Sequence, residues 1–458
     1  MFRTPLLLIF AALIFSAPAS ASTGAAPLDL TAHWTGILCL VIFVSAYALV
    51  IFEEPLHLRK SKPVMLAAGL IWLLIGIAYS QAGKADAAQL LAKGIIEEFA
   101  ELFLFLLVAI TYVNTLEERR VFDVLRARLV GLGLSYRQLF WMTGIAAFFL
   151  SSVLDNLTTA LVMGAVVLAI GSGSKAFVAV ACINIVVAAN AGGAFSPFGD
   201  ITTLMVWQKG KLEFWEFFVL FVPSAVNFLV PAAIMQFGAP QTKPAQHEDR
   251  VRMKPGALGV IVLFAATIVT AVSFKNFLHL PPALGMMLGL AYLQIWSYFL
   301  QRKGRRRDDA DMVLDSFAQL QRVEWDTLLF FFGIIFAVGG LGVIGYLGHA
   351  SEFLYAGLGP TSANIIIGAL SAIVDNIPLM FAVLTMDPQM SEGQWLLITL
   401  TCGVGGSILS IGSAAGVALM GQARGLYTFS SHLKWSWAVA LGYAAGIAAH
   451  LIINARLF

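Results

Sequence analysis

The sequence predicts an all-α polytopic membrane protein built from two inverted-topology repeats. Three observations predict it. The 458 residues are 59% hydrophobic and only 12% charged, with mean hydropathy +0.85, whereas a soluble domain is about a quarter charged. Apolar stretches long enough to cross a bilayer recur along the whole chain. The order of plain and interrupted stretches in the first half is then repeated in the second. The runs are continuous rather than alternating, which argues against a β-barrel.

Residues 1–21 read as a secretory signal peptide. Arg3 supplies the positive n-region, residues 6–15 the apolar h-region, and Ala19-Ser20-Ala21 a small-residue cleavage pattern. Cleavage would place the mature N-terminus on the periplasmic face of the inner membrane of a Gram-negative-type cell. The first repeat, residues 31–237, opens with ordinary spans at 35–52, 64–80 and 99–115. Residues 138–170 are apolar but interrupted at Asp155-Asn156, and 176–207 are interrupted by a glycine-rich break from Asn190 to Asp200. An ordinary span at 217–236 closes the repeat, and a polar linker, 238–256, follows. The second repeat, 257–458, has ordinary spans at 258–274, 282–300 and 327–347, an interruption at Asp375-Asn376 within 361–386, a glycine break within 395–420, and a closing span at 436–453.

The residues repeat as well as the order. Ser-x-x-x-Asp-Asn occurs at 151–156 and at 371–376, Gly-Gly-x5-Gly at 192–199 and at 405–412, and an acid followed by an aromatic at Glu98-Phe99 and Glu324-Trp325. If each acid-interrupted segment is a re-entrant hairpin, each half crosses five times and the second half is inverted. Of the 28 lysines and arginines, 21 then fall inside, six fall outside and Arg3 belongs to the signal. That is the expected positive-inside bias. Were the first hairpin a full crossing, Arg250 and its neighbours would lie outside.

An acid and an amide in the middle of an apolar run are costly to bury and mark a functional site. Each also suits a plain helix N-cap, but the duplication favours function. Inverted repeats with broken helices place their site where the breaks meet, near the midplane. The candidate ligands are Asp155, Asn156, Thr158, Thr159, Asn190, Asp200, Thr202, Thr203, Asp375, Asn376, Ser410 and Ser413, with further hydroxyls on Ser151 and Ser371. All offer oxygen, which suits a hard cation such as Na⁺. Gly192, Gly193, Gly199, Gly405, Gly406 and Gly412 are expected to unwind the helices, rather than to pack them closely. Ser407 and its neighbours can alternatively bond their own helix. Glu97 and Glu98 are expected to start a helix at the interface, with Glu101 a turn deeper as a candidate for proton handling; Glu324 and Asp326 flank the equivalent start and are expected to cap it.

Other features carry less. Cys39, Cys182 and Cys402 read as small buried hydrophobes. The histidines, His57, His247, His432 and His450 among them, fall in loops or near span ends without ligand spacing, which argues against a transition-metal site. No phosphate-binding loop is present, since Gly171-Ser-Gly-Ser174 lacks the Lys-Ser/Thr ending. No cofactor or nucleic acid is implied, and transport would be driven by an ion gradient.

The segments 151–159, 190–203 and 371–378 together resemble the NhaD-type Na⁺/H⁺ antiporters of the ion transporter superfamily. The resemblance covers almost the whole chain after the signal. It implies exchange of Na⁺ or Li⁺ for protons, a homodimer, and an elevator-like movement of the broken elements. The family's functional positions carry over to Asp155, Asn156, Asn190, Asp200, Thr202, Thr203, Asp375, Asn376, Ser410 and Ser413, and more weakly to Glu101 and Glu324. The mechanism expected is competition: clustered carboxylates in a partly dry site bind Na⁺ when ionised and protons when it leaves. The alternatives are a Na⁺-coupled carboxylate transporter of the same architecture and a membrane scaffold subunit that transports nothing.

Overall fold

The computed structural model describes residues 28–51, 53–56, 58–244 and 251–458. The signal segment with Arg3, and His57, His247 and Arg250, lie outside the described residues. The longer helices are α1 Trp34–Ile51, α2 Ser61–Gln81, α3 Ala85–Glu118, α4 Val121–Gly131, α5 Tyr136–Ser151, α6 Asn156–Ile170, α7 Lys175–Gly193, α8 Ile201–Gln208 and α9 Phe221–Met235. They continue as α10 Ala257–Leu278, α11 Pro282–Arg307, α12 Trp325–Val343, α13 Pro360–Leu370, α14 Asn376–Met386, α15 Glu392–Gly405, α16 Ala414–Gln422 and α17 Ser436–Ile453. Among the described residues, nine helical segments are long and apolar enough to cross a membrane. Eight of them coincide with the ordinary spans read from the sequence. The ninth is α7, the first part of the first glycine-broken segment.

One boundary differs substantially. The third span begins not near residue 99 but at Ala85, giving a helix of 34 residues. At 1.5 Å per residue this is roughly 50 Å long and exceeds the hydrocarbon core. Residues 85–98 include Ala85, Ala87, Ala88, Ala92, Leu90, Leu91, Glu97 and Glu98, residue types that favour a helix without a long hydrophobic run. Glu97 and Glu98 are therefore mid-helix, and the acid in the first turn is Asp86. Their expected role as helix-starting acids is corrected accordingly.

The chain divides into two units. The first comprises residues up to Phe103 with Glu324–Ala363 and Pro378–Met390. In it α12 lies directly against α2: a Cβ on Gly333 would stand 2.7 Å from the backbone nitrogen of Met65. Trp72 Nε1 donates to Phe336 O at 2.9 Å, and Phe99 packs edge-on to Phe332. Glu324 stands at the N-cap of α12, but its side chain caps no backbone N–H. It accepts instead from Thr327 Oγ1 at 3.1 Å, while Asp326 accepts from Ser61 Oγ.

The second unit comprises Leu104–Val323, Asn364–Ile377 and Ser391–Phe458. Its helices meet through small residues, as in membrane bundles generally. Gly442 of α17 sits against Asn227 and Pro231 of α9, Gly144 of α5 against Asn184 of α7, and Gly285 of α11 against Ala271 of α10. At the end of α3 the fully buried Arg119 guanidinium donates to the carbonyls of Pro255, Asp311 and Val313 and pairs with Glu118, which also holds Lys254 at 2.8 Å. This knot ties the end of the linker to the loop after α11.

Candidate functional site

The first interruption is a capped helix start. Helix α5 ends at Ser151, and Asp155 takes an extended conformation, φ −60° and ψ 159°. Its carboxylate accepts the Thr158 backbone N–H at 2.8 Å and the Thr158 hydroxyl at 2.7 Å. Both oxygens thus serve the cap of α6, where a carboxylate also suits the helix dipole. The second interruption lies between α13 and α14, where Asp375 accepts the Ile377 N–H at 3.4 Å. Ser151 and Ser371 have equivalent partners: Ser151 Oγ donates to Ala189 O and Ser371 Oγ to Cys402 O. Each hydroxyl fastens its interruption to the neighbouring broken helix.

The broken helices end at Gly193 and Gly405. The reason for glycine differs from the expected one. None of the six glycines of the breaks has the left-handed backbone that glycine permits. Instead they allow close approach. A Cβ on Gly192 would lie 2.0 Å from Phe148 O, and one on Gly405 would lie 1.9 Å from Gly368 O. Gly199 and Gly412 are likewise within 2.6 and 2.5 Å of the carbonyls of Ser151 and Ser371, and Gly193 and Gly406 are each 2.7 Å from the carbonyls of Gly199 and Gly412.

Each break is followed by a short helix with a similar cap. Asp200, φ −147° and ψ 150°, starts α8 and accepts the Thr202 N–H at 3.2 Å. Ser413, φ −139° and ψ 148°, starts α16 and accepts the Gly416 N–H at 3.3 Å. Thr203 Oγ1 donates to the carbonyls of Ser196 and Asp200, which closes the first break on itself. Ser407 Oγ donates to Val404 O within its own break.

The amides gather these pieces around one carboxylate. Asp200 is 4% exposed. Its Oδ2 accepts from Asn156 Nδ2 at 3.2 Å and from Asn376 Nδ2 at 3.0 Å. Asn156 Nδ2 also donates to Asn190 Oδ1 at 3.0 Å, and Asn190 Nδ2 donates to Ser413 Oγ at 3.1 Å. Both Asp-Asn interruptions and both glycine breaks therefore meet in a single network. The donors to Asp200 are all neutral amides. A carboxylate buried in this way is costly unless a cation or a proton accompanies it. The buried hydroxyls of Thr159, in the first turn of α6, and of Thr202, two residues after Asp200, have no hydrogen-bond partner among the described residues. Ser410 is buried within the second break. The network thus offers a carboxylate, amide oxygens and hydroxyls, the donor set of a hard cation.

Glu101 and Glu324 belong to the first unit, and Glu101 is half-buried in mid-helix. His432, which its sequence position places in a loop or near a span end, is fully buried. One ring nitrogen lies 2.9 Å from Ser407 O of the second break and the other 2.7 Å from the Tyr427 hydroxyl. Its sequence neighbours Ser430, Ser431 and Lys434 are those of an exposed segment and give no sign of this burial.

Residues 47–403 match the family described as citrate transporter. The chain is 56% identical to the Na⁺/H⁺ antiporter NhaD of Alkalimonas amylolytica, over 97% of this chain and 96% of that protein. It is 53% identical to the protein of the same name from Vibrio cholerae, over 94% of each. It is 34% identical to sodium/proton antiporter 1 of Arabidopsis thaliana, over 97% of this chain and 77% of that protein. With its helical spans and the family match over most of its length, the chain belongs to the NhaD family of Na⁺/H⁺ antiporters.

Proposed function

We propose that this protein exchanges Na⁺ for protons across a membrane, with Asp200 accepting the cation and the proton in turn. The observation that carries this reading is the convergence of Asn156 and Asn376 on a buried carboxylate whose bonded donors are all neutral. In the cation-bound state Asp200 neutralises Na⁺, and Asn190, Thr202 and Ser413 add oxygen ligands. When Na⁺ leaves, a proton replaces it. Asp155 and Asp375 cap the adjoining helices and hold negative charge near the network, and Thr158, Thr159, Thr203 and Ser410 complete its oxygen lining. Glu101 and Glu324 are assigned to proton handling on the family resemblance, as are Li⁺ transport and the homodimer.

The topology completes the proposal. The two Asp-Asn segments are re-entrant hairpins entering from opposite sides of the inner membrane, the repeats are inverted, and the mature N-terminus is periplasmic. The charge bias of the loops supports this arrangement. Access to the site then alternates between the two faces.

Purified protein in vesicles containing a pH-sensitive dye tests the reading. Addition of Na⁺ is expected to move protons in the wild type and not in Asp200→Asn. Undiminished exchange in that variant would overturn the assignment. Na⁺ flux without proton counterflow would indicate a channel. Binding of citrate to the purified protein would favour a coupled carboxylate transporter, the reading suggested by the wider family's description.

A further inference from the structure

Gly403 stands out among the glycines of the two breaks. It lies buried inside α15, two residues before Gly405. The other six break glycines are excluded from carrying a side chain by backbone atoms closer than 3.0 Å. Gly403 is not. A Cβ there would meet Ala194 Cβ at 3.5 Å and Asp200 Oδ2 at 3.9 Å, which are ordinary contact distances. Packing therefore permits alanine, and alanine is the better helix residue. Its position in the repeated pattern corresponds to Asn190, whose side chain bridges Asn156 to Ser413.

We infer that Gly403 is a specificity-determining residue: it keeps open a gap beside Asp200 Oδ2 whose size selects the transported cation. The inference rests on the proposed exchange at Asp200. Three observations meet at this point. The gap adjoins the one carboxylate oxygen that both interruption asparagines address. The nearest atom to a Cβ at residue 403 is Cβ of Ala194, at 3.5 Å, itself a small residue that caps the end of α7. The buried Thr202 hydroxyl, two residues from that carboxylate, has no hydrogen-bond partner among the described residues. Selection between hard cations of one charge type depends on cavity size and ligand number. A methyl group at residue 403 narrows the cavity without removing a ligand.

The test uses the full chain in dye-loaded vesicles, with the apparent KM measured separately for Na⁺ and Li⁺. Gly403→Ala is expected to raise the KM for Na⁺ by about tenfold, equivalent to ~1.4 kcal/mol, while the KM for the smaller Li⁺ changes much less. Ala194→Gly widens the same gap and is expected to shift preference towards larger cations, with K⁺ becoming a measurable competitor. The double variant is expected to recover the wild-type Na⁺ KM. If Gly403→Ala fails to accumulate, Ala194→Gly alone decides. Equal changes for both ions, or no change in either variant, would overturn the inference. A wild type without Na⁺-dependent proton movement would instead overturn the exchange reading itself.

Discussion

The two glycine breaks share a backbone and differ in chemistry. In each, a glycine two residues past a common register point touches a carbonyl of the preceding helix, at 2.0 Å from the ideal Cβ of Gly192 and 1.9 Å from that of Gly405. In each, an extended cap residue starts a short helix. The first break carries Asp200 as that cap and Asn190 two residues before Gly192; the second carries Ser413 and, two residues before Gly405, Gly403. The comparison separates two requirements. Close approach must be met on both sides to bring the elements together, whereas the charge is needed only once. Two facing carboxylates would repel and would demand a second cation.

The largest effects should appear where the breaks agree. Gly192→Ala and Gly405→Ala each force a methyl group into a carbonyl, a strain of at least about 1–3 kcal/mol. Both variants are expected to disappear from the membrane fraction, measured by immunoblot, while Gly69→Ala, with nothing within 4 Å of the new Cβ, accumulates normally. Loss of only one of the two would break the structural equivalence. The next effect should appear where the breaks differ. Exchanging the caps, Asp200→Ser with Ser413→Asp, keeps two competent N-caps but moves the carboxylate away from its asparagines. Na⁺-dependent proton movement is expected to fall to the vesicle background, with normal protein levels.

A smaller effect tests the convergence. Asn156→Ala and Asn376→Ala each remove a hydrogen bond to a charged group, worth about 1.5–3 kcal/mol, so each should raise the KM for Na⁺ by tenfold or somewhat more. Both should also move the pH profile of exchange upwards, because the amides stabilise the ionised form. Opposite shifts in the two variants would show that they act on different groups. In the wild type the sign of the pH effect follows from competition. Raising the pH removes the competing proton, so the KM for Na⁺ should fall by up to about tenfold per pH unit and then level off. The smallest effect is expected from Ser413→Ala. It deletes a cap worth about 1 kcal/mol together with one proposed oxygen ligand, and should lower thermal stability by a few degrees and raise the KM for Na⁺ by less than the asparagine variants do, with exchange still measurable.

Much of this arrangement was legible in the sequence, for physical reasons. Uninterrupted apolar runs of the right length announce spans, and an acid inside one announces its own cost. The start of α3 was not legible from hydropathy, because Asp86, Lys93, Glu97 and Glu98 dilute a segment that is helical by propensity. The hydroxyls of Ser151 and Ser371 were visible as residue types, but their use as fasteners depends on carbonyls 38 and 31 residues away. The meeting of Asn156 and Asn376 at Asp200 joins residues 44 and 176 positions apart. No local pattern encodes that pairing, although the duplicated Asp-Asn motif marked both participants. Arg119 shows the same limit. It resembles the other inner-loop arginines in sequence, yet it is fully buried and ties three carbonyls together.

The choice of asparagine next to each interrupting aspartate has a consequence of its own. A side-chain amide has two unlike ends, an N–H pair and a carbonyl oxygen. Turned one way, Asn156 and Asn376 present N–H groups to the carboxylate, as they do here. Rotated half a turn about the last torsion, the same side chains present oxygen to an arriving cation. A reversal of polarity of this kind needs only two side-chain torsions. An aspartate, which has two like oxygens, has no such second face, and a leucine has neither.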